Sequence, residues 1–520
     1  MAVSHHTLAG IGLLLALCLI GPPPAAAAVP PPTFPVAEPG VAEPPIGLRA
    51  RLHVVRADGT TRITALSPVR FSRHDGEPLS VEIEAAAEPL VVVHQQPDAP
   101  ANASVTVPSA RAFAGGELIE VMGLQAEAEL ADPANARLRI RRLVAPSLLA
   151  WVPPLSVTAD LMWEGSGLSL TGTTSALDGR LGARIDGSAD LAEGSGHLVL
   201  DVAPVRFRPG ALQPVDIAPG LAAEADLSGV SGQAGATVSL HWNERPASIR
   251  VRVSLRDVGF TVSGVRVAGL AGNVTVDRLS PLRTPPGQRL DVALIDPGMP
   301  ATDGSIRFRF DPAGRLRVDR AGINLSGGRL SVDNVVIDPR AGHHDVSIVA
   351  EGLDLGEVLA RADVAGASAW GRISGVIPVT LSPDGIAIRG ASLATDAPGV
   401  LRYRPPAPPT ALPGDDPRIR LLRGALDDFR YDALTVSLDG RTGAVWRSRL
   451  RLSGHNPYFM AAQPFILNVN LEVVPGQSVL EVGDTAFAVG DALPIYNALF
   501  GVRFLEWLGN TLGALPPPAP

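Results

Sequence analysis

W-G-R-I-S-G-V-I-P-V-T-L-S-P-D-G-I-A-I-R-G-A-S-L-A-T-D-A-P-G-V-L-R-Y, residues Trp370 to Tyr403, carries the grammar that the rest of the chain repeats. Apolar and polar residues alternate from Val376 to Leu381, a Ser382-Pro383-Asp384-Gly385 turn follows, and alternation resumes at Ile386 and Ile388. Successive strand side chains point to opposite faces, so this pattern predicts two half-buried strands joined by a tight turn. No residue in it has the look of a catalyst. The functional question is what the apolar face is for.

Working outward, the same alternation appears at Leu48, Ala50, Leu52 and Val54, ahead of an Ala57-Asp58-Gly59 turn. It is clearest at Ile249, Val251, Val253 and Leu255, which alternate with Arg250, Arg252, Ser254 and Arg256. Ile306, Phe308 and Phe310 alternate with Arg307 and Arg309; after an Asp311-Pro312-Ala313-Gly314 turn, Leu316 and Val318 alternate with Arg315 and Arg317. Further apolar rows are Val346 and Ile348, Val379 and Leu381, Leu450 and Leu452, and Leu467, Val469 and Leu471. A slip of one residue would exchange the faces, so the register is firmly specified. Leu353 to Ala362 has helical spacing, Pro405 to Pro417 reads as a proline-rich loop, and Pro494 opens an aromatic-rich helix through Leu512. No helical crossovers separate the strands, so a parallel doubly wound sheet is not expected. The expected fold is mainly β: an elongated, curled antiparallel sheet enclosing an apolar groove, with short helices that include one at the C-terminus. The domain reading is a leader at 1–28, a Pro/Ala-rich linker at 29–46, a repetitive β-groove at 47–322, a C-terminal β-domain at 323–515 and a Pro-rich tail at 516–520.

Composition narrows the chemistry. The chain is 46% hydrophobic but only 4% aromatic, with 54 glycines and 49 prolines, as many turns between short strands require. A net charge of −8 gives no overall footprint for nucleic acid. All 44 basic residues are arginine, which excludes a Walker phosphate loop, a pyridoxal Schiff base and the kinase ion pair. No G-x-S-x-G elbow or G-x-G-x-x-G loop is present. No catalytic residue, cofactor or metal site is expected. Leu8 to Ile20, followed by Ala25 to Ala28, reads as an export signal. As a helix those residues span about 20 Å, short of the roughly 30 Å hydrocarbon layer, so an inner-membrane anchor is the alternative. The one cysteine, Cys18, lies inside that run behind Leu17, where a lipoprotein signal would want a small residue.

Five motifs in order resemble a known family: G-R-I-S-G-V-I-P-V (Gly371 to Val379), A-P-G-V-L-R-Y (Ala397 to Tyr403), A-L-D-D-F-R-Y-D-A-L (Ala425 to Leu434), L-S-G-H-N-P (Leu452 to Pro457) and F-I-L-N-V-N-L-E (Phe465 to Glu472). Together they are similar to the YdbH-type branch of the AsmA-like proteins of Gram-negative bacteria, whose domain was once labelled "dicarboxylate transport". The likeness runs from about Ile323 to Leu515. It implies a periplasmic, inner-membrane-anchored conduit for glycerophospholipid between the inner and outer membranes. It also implies a long β-groove and a small outer-membrane lipoprotein as partner. Gly375, Pro378, Gly399, Tyr403, Asp428, Tyr431, Asn456 and Pro457 are the motif positions expected to be structural. Family members are usually longer, and this N-terminus is a poor anchor.

The residues admit plainer readings too. Alternating apolar rows suit an ordinary sandwich core as well as a lipid-lined groove, where each buried CH₂ gains about 0.8 kcal/mol. On the order of 30 strands would make a groove roughly 140 Å long. The arginines at Arg250, Arg252, Arg307, Arg309, Arg315 and Arg317 suit a solvated face, with phosphate contact at a groove rim as the sharper alternative. Neighbouring His343 and His344 point oppositely on a strand and suit a turn before Val346, not a metal site. Asp427 and Asp428 do not converge as a catalytic pair; Asp428 with Arg430 or Tyr431 is expected to fix a turn. A periplasmic scaffold and a dicarboxylate-binding protein remain the competing functions.

Overall fold

A computed structural model describes residues 46–489 apart from short internal segments, the longest being 145–152, 218–226 and 405–416. The expected leader, linker, C-terminal helix and tail lie outside the described residues. The described chain is mainly β, one long antiparallel sheet that does not close into a barrel. Its helices are short: Pro214–Ile217, Leu355–Arg361 and Pro417–Leu426. Contacts divide the chain into two compact units. The first takes the described residues up to Ala223 together with Ala234–Val253; the second takes Glu224–Gln233 and the described residues from Ser254 onward.

In the first unit, strands Asn102–Ala114, Glu117–Glu129 and Asp132–Val144 run for 13 residues each. A meander follows through Leu155–Glu164, Gly167–Ala176, Leu181–Asp190 and Ser195–Phe207. On its other side, strand Asn102–Ala114 meets two partners. Leu79–Ile83 pairs with its C-terminal half and Val91–His94 with its N-terminal half, so the sheet forks. One branch continues through Val69–Arg73 to Ile46–Arg49, the other through Thr60–Ala65 to Leu52–Ala57. The predicted Asp58-Gly59 turn is present, both residues at positive φ (49° and 70°) as a two-residue hairpin loop favours. The half-burial expected of Leu52 and Val54 is not: they are 47% and 53% exposed. Alternation records which face a strand would bury, and this strand, bonded to one neighbour among the described residues, has little to bury against.

In the second unit the two strands read at Val376 to Leu381 and from Ile386 are present. Arg372–Ser382 and Gly385–Thr395 form a hairpin with Leu381 opposite Ile386 and Val379 opposite Ile388. Pro378 sits mid-strand without an N–H to give. The register there shifts by one residue, and Gly390, at φ 69°, bulges from the neighbouring strand and donates its N–H to Asp439 Oδ1 at 2.7 Å. The expected helix at Leu353 to Ala362 forms over Leu355–Arg361, its first turn capped by Asp354 Oδ1, which accepts from the Glu357 N–H at 3.0 Å.

The Asp311-Pro312-Ala313-Gly314 turn is also present, and it uses arginines that the sequence assigned to the solvated face. Asp311 accepts from the N–H groups of Ala313 and Arg315 at 3.0 and 3.1 Å. Its other carboxylate oxygen accepts from Arg315 Nε and Arg317 Nε at 2.9 and 3.1 Å. Burial alone would push this carboxyl up, but the four donors outweigh it and hold it at about 2. A depressed folded value stabilises above the unfolded value near 4 and loses that share as pH falls toward 2. Asp311→Asn should cost about 1–3 kcal/mol in urea unfolding at neutral pH, and the gap to the parent should narrow steadily between about pH 4 and 2.

Candidate lipid-binding face

Strand pairing in the first unit lines up apolar residues on one face. Val91, Val105, Ala126, Leu138, Ala159, Gly172, Ile185 and Leu200 face one another in sequence across eight strands. A parallel row runs Val107, Leu124, Ile140, Val157, Thr174, Ala183 and Val202. Opposite faces carry Glu127, Arg137, Asp160, Thr171 and Asp186, with Arg137 Nε 3.1 Å from Asp160 Oδ1. Eight strands at about 4.8 Å make the apolar face some 34 Å long. Its cover is uneven: Val105 to Ala159 are buried, but Gly172, Ile185 and Leu200 are only half-buried. The connected core of this unit runs from Ala65 through Leu170; past it Ala176, Ala189, Phe207 and Leu212 are buried outside that cluster.

The second unit repeats the arrangement. Gly272, Leu290, Ile306, Ala321 and Val332 form one row. Ala350, Gly375, Leu393, Val436, Leu450 and Val469 form another. The connected core starts at Ala301; Val258, Val262, Val265 and Val267 are buried too, outside that cluster. The groove candidates therefore fall into two groups. Phe308, Val318, Val346, Ile348, Val379, Leu381 and Leu452 are buried, with Val379 and Leu381 each 2% exposed. Ile249, Val251, Val253, Leu255, Ile306, Phe310, Leu316, Leu450, Leu467 and Val469 are half-buried. Leu471 lies on the strand Phe465–Val474, opposite Ser448. Sequence reading missed Ile185, Leu198, Leu200 and Val202, although L-V-L-D-V carries the same alternation.

Polar groups sort similarly. Arg250, Arg252 and Arg307 are exposed, Arg309 is half-buried, and Arg315 and Arg317 are tied to Asp311. His343 is exposed; His344 is half-buried and its ring pKa is lowered, first by burial. Among the described residues no group of three or more His, Cys, Asp or Glu is placed to hold a metal. A cavity of about 660 Å³ is lined by Arg329, Arg361 and Arg372, and by Glu351 and Glu357 as well.

The motif residues converge at one end of the second unit. The Tyr431 hydroxyl donates to the Trp370 carbonyl oxygen at 2.8 Å, and the Arg402 guanidinium lies 4.9 Å from the Trp370 ring centre. Gly399 stands beside both, where a Cβ would collide with the Trp370 carbonyl and the Tyr431 hydroxyl. Buried Asp428 accepts from Arg402 Nε at 2.5 Å, whereas Arg430 is 3.9 Å away. Its chief partner is thus a strand away in space, not the neighbour in sequence. Asp427 pairs separately with Arg404 at 2.8 Å. Asn456, 1% exposed, donates to the carbonyls of Gly424 and Ala425 at 2.8 and 3.3 Å and accepts from the Tyr458 N–H at 2.8 Å. It ties the turn at Pro457 to the end of helix Pro417–Leu426. Half-buried Gly375 and Pro378 lie further along the strand Arg372–Ser382, and half-buried Tyr403 is opposite Ala367.

Residues 46–473 match the model of the YdbH-like family, described as "Intermembrane phospholipid transport protein YdbH". The chain belongs to the YdbH-like family. Intermembrane phospholipid transport is therefore its general function, in the cell envelope. No curated protein and no solved structure matches the chain. The YdbH-like match starts at residue 46, far upstream of the motif-bearing third, so the plain strands of the first unit are family material too. Helix Pro417–Leu426, which begins at the last residue of the loop expected over Pro405 to Pro417, was missed, although Asp416-Pro417 is a helix-start signal. Tyr431→Phe, which removes one hydrogen bond, should cost about 1 kcal/mol in equilibrium unfolding. Gly399→Ala should cost more, and adding Tyr431→Phe should relieve only part of it, because the Trp370 carbonyl still blocks the methyl.

Proposed function

We propose that this YdbH-like chain carries glycerophospholipid between inner and outer membranes without chemistry, holding the acyl chains against the apolar face of its sheet. The observation that supports this is the half-buried stretch of each apolar face: Ile185 and Leu200 in the first unit, Leu290 and Ile306 in the second. Apolar side chains kept in a specified register yet left half-covered offer hydrocarbon tails a surface that water wets poorly. The fully buried candidates, Val379 and Leu381 among them, act in this reading as the core that holds the face in shape. Lipid enters at one end and leaves at the other, and an outer-membrane lipoprotein receives it. Directionality is imposed from outside, since the sequence offers no nucleotide motif.

Two other readings each rest on an observation. The buried candidates favour a plain scaffold. The three-arginine cavity favours a dicarboxylate, but Glu351 and Glu357 in its wall repel a dianion. Mass spectrometry of the gently purified chain should find bound phospholipid. Leu200→Glu should reduce it at least several-fold, and Thr171→Glu on the opposite face should not. Lipid-free protein from the unaltered chain would leave the scaffold standing, and measurable heat with succinate in calorimetry would favour the dicarboxylate.

A further inference from the structure

The forked end of the first unit is locally basic. Residues 46–73 hold six arginines and one acid, Asp58, a local formal charge of +5 (six less one) in a chain of net −8. Arg49, Arg51, Arg56, Arg62 and Arg70 are exposed. Large apolar side chains are exposed among them: Leu52 at 47%, Val54 at 53%, Val55 at 41% and Leu66 at 64%. Both faces of the strand Leu52–Ala57 are open, since every one of its residues is exposed.

The fork brings these residues together. Its two branches end in Ile46–Arg49 and Leu52–Ala57, joined by Ala50 and Arg51 alone. That link is fixed to the second branch: the Leu66 N–H donates to the Arg51 carbonyl at 2.8 Å, and the Arg51 N–H to Ser67 Oγ at 3.2 Å. Between them lies a cleft of about 450 Å³ lined by Arg49, Arg51, Leu52, Ser67, Pro68 and Arg70. Arg70 also contacts Glu82 at 3.0 Å, and its side chain remains 65% exposed.

We propose that this forked end is a docking surface for an anionic phospholipid bilayer. Guanidinium groups match phosphate oxygens in pairs, and each basic residue near an anionic leaflet is worth about fivefold in partitioning. Leu52, Val54, Val55 and Leu66 enter the headgroup boundary, where apolar side chains flanked by arginine are at home. An acidic protein surface would satisfy the charge but not four exposed apolar side chains interleaved with it. This surface binding does not depend on lipid carriage; one is read at the bilayer and the other as bound lipid, so either can fail alone.

The test uses the full chain with Cys18→Ala and Leu66→Cys, labelled at the new thiol with an environment-sensitive dye. Vesicles of phosphatidylcholine with about 30% phosphatidylglycerol should shift the emission to the blue, and phosphatidylcholine alone should not. About 0.5 M NaCl should reverse the shift in the otherwise unaltered chain. Combined Arg51→Glu, Arg56→Glu and Arg62→Glu should weaken vesicle binding at least tenfold with the far-ultraviolet circular dichroism unchanged. No shift on anionic vesicles, an equal shift on neutral ones, or a shift indifferent to salt overturns the proposal.

Discussion

Everything in this protein depends on register. A strand has a side-chain period of two, and a slip of one residue would place Arg137, Asp160 and Asp186 where Leu138, Ala159 and Ile185 now stand. Because the strands are antiparallel neighbours, each ladder passes this requirement to the next, and an apolar row survives across eight strands without a break. The devices that interrupt the ladders are local and compensated. Pro378, which lacks an N–H, lies beside the bulge at Gly390, and Asp439 takes up the bulge's own N–H.

What differs along each row is cover. Between Val105 and Ala159 the face is packed as a core; at Ile185 and Leu200 it keeps the same chemistry but half of the contact. The second unit shows the same contrast between Leu393 or Val436 and Leu450 or Val469. A packed core and an incompletely covered apolar face are thus made from one pattern.

The sequence carried the fold well for a physical reason: period two survives in the amino-acid string. The hairpin at Leu381 and Ile386 and the turn at Asp311 could be read from residues alone. Cover could not, because it depends on what packs from elsewhere; hence Leu52 and Val54 were expected half-buried and are exposed. Partners distant in sequence were hidden likewise. Asp428 was matched to its neighbours, yet Arg402, 26 residues earlier, holds it. Pairings of that separation leave no trace in local pattern. Ile185 and Leu200 were legible in principle, since their alternation equals that at Ile249 and Val251.

The fork has a consequence for association. Strand Asn102–Ala114, left alone at the margin of a sheet, would offer 13 residues of unsatisfied backbone to any passing chain, a ready seed for fibre growth. Among the described residues that margin is split between a four-residue and a six-residue strand, each carrying one arginine, and neither offers so long a straight template. A protein built almost wholly of ribbon thereby offers only short lengths of open backbone where ribbons ordinarily multiply.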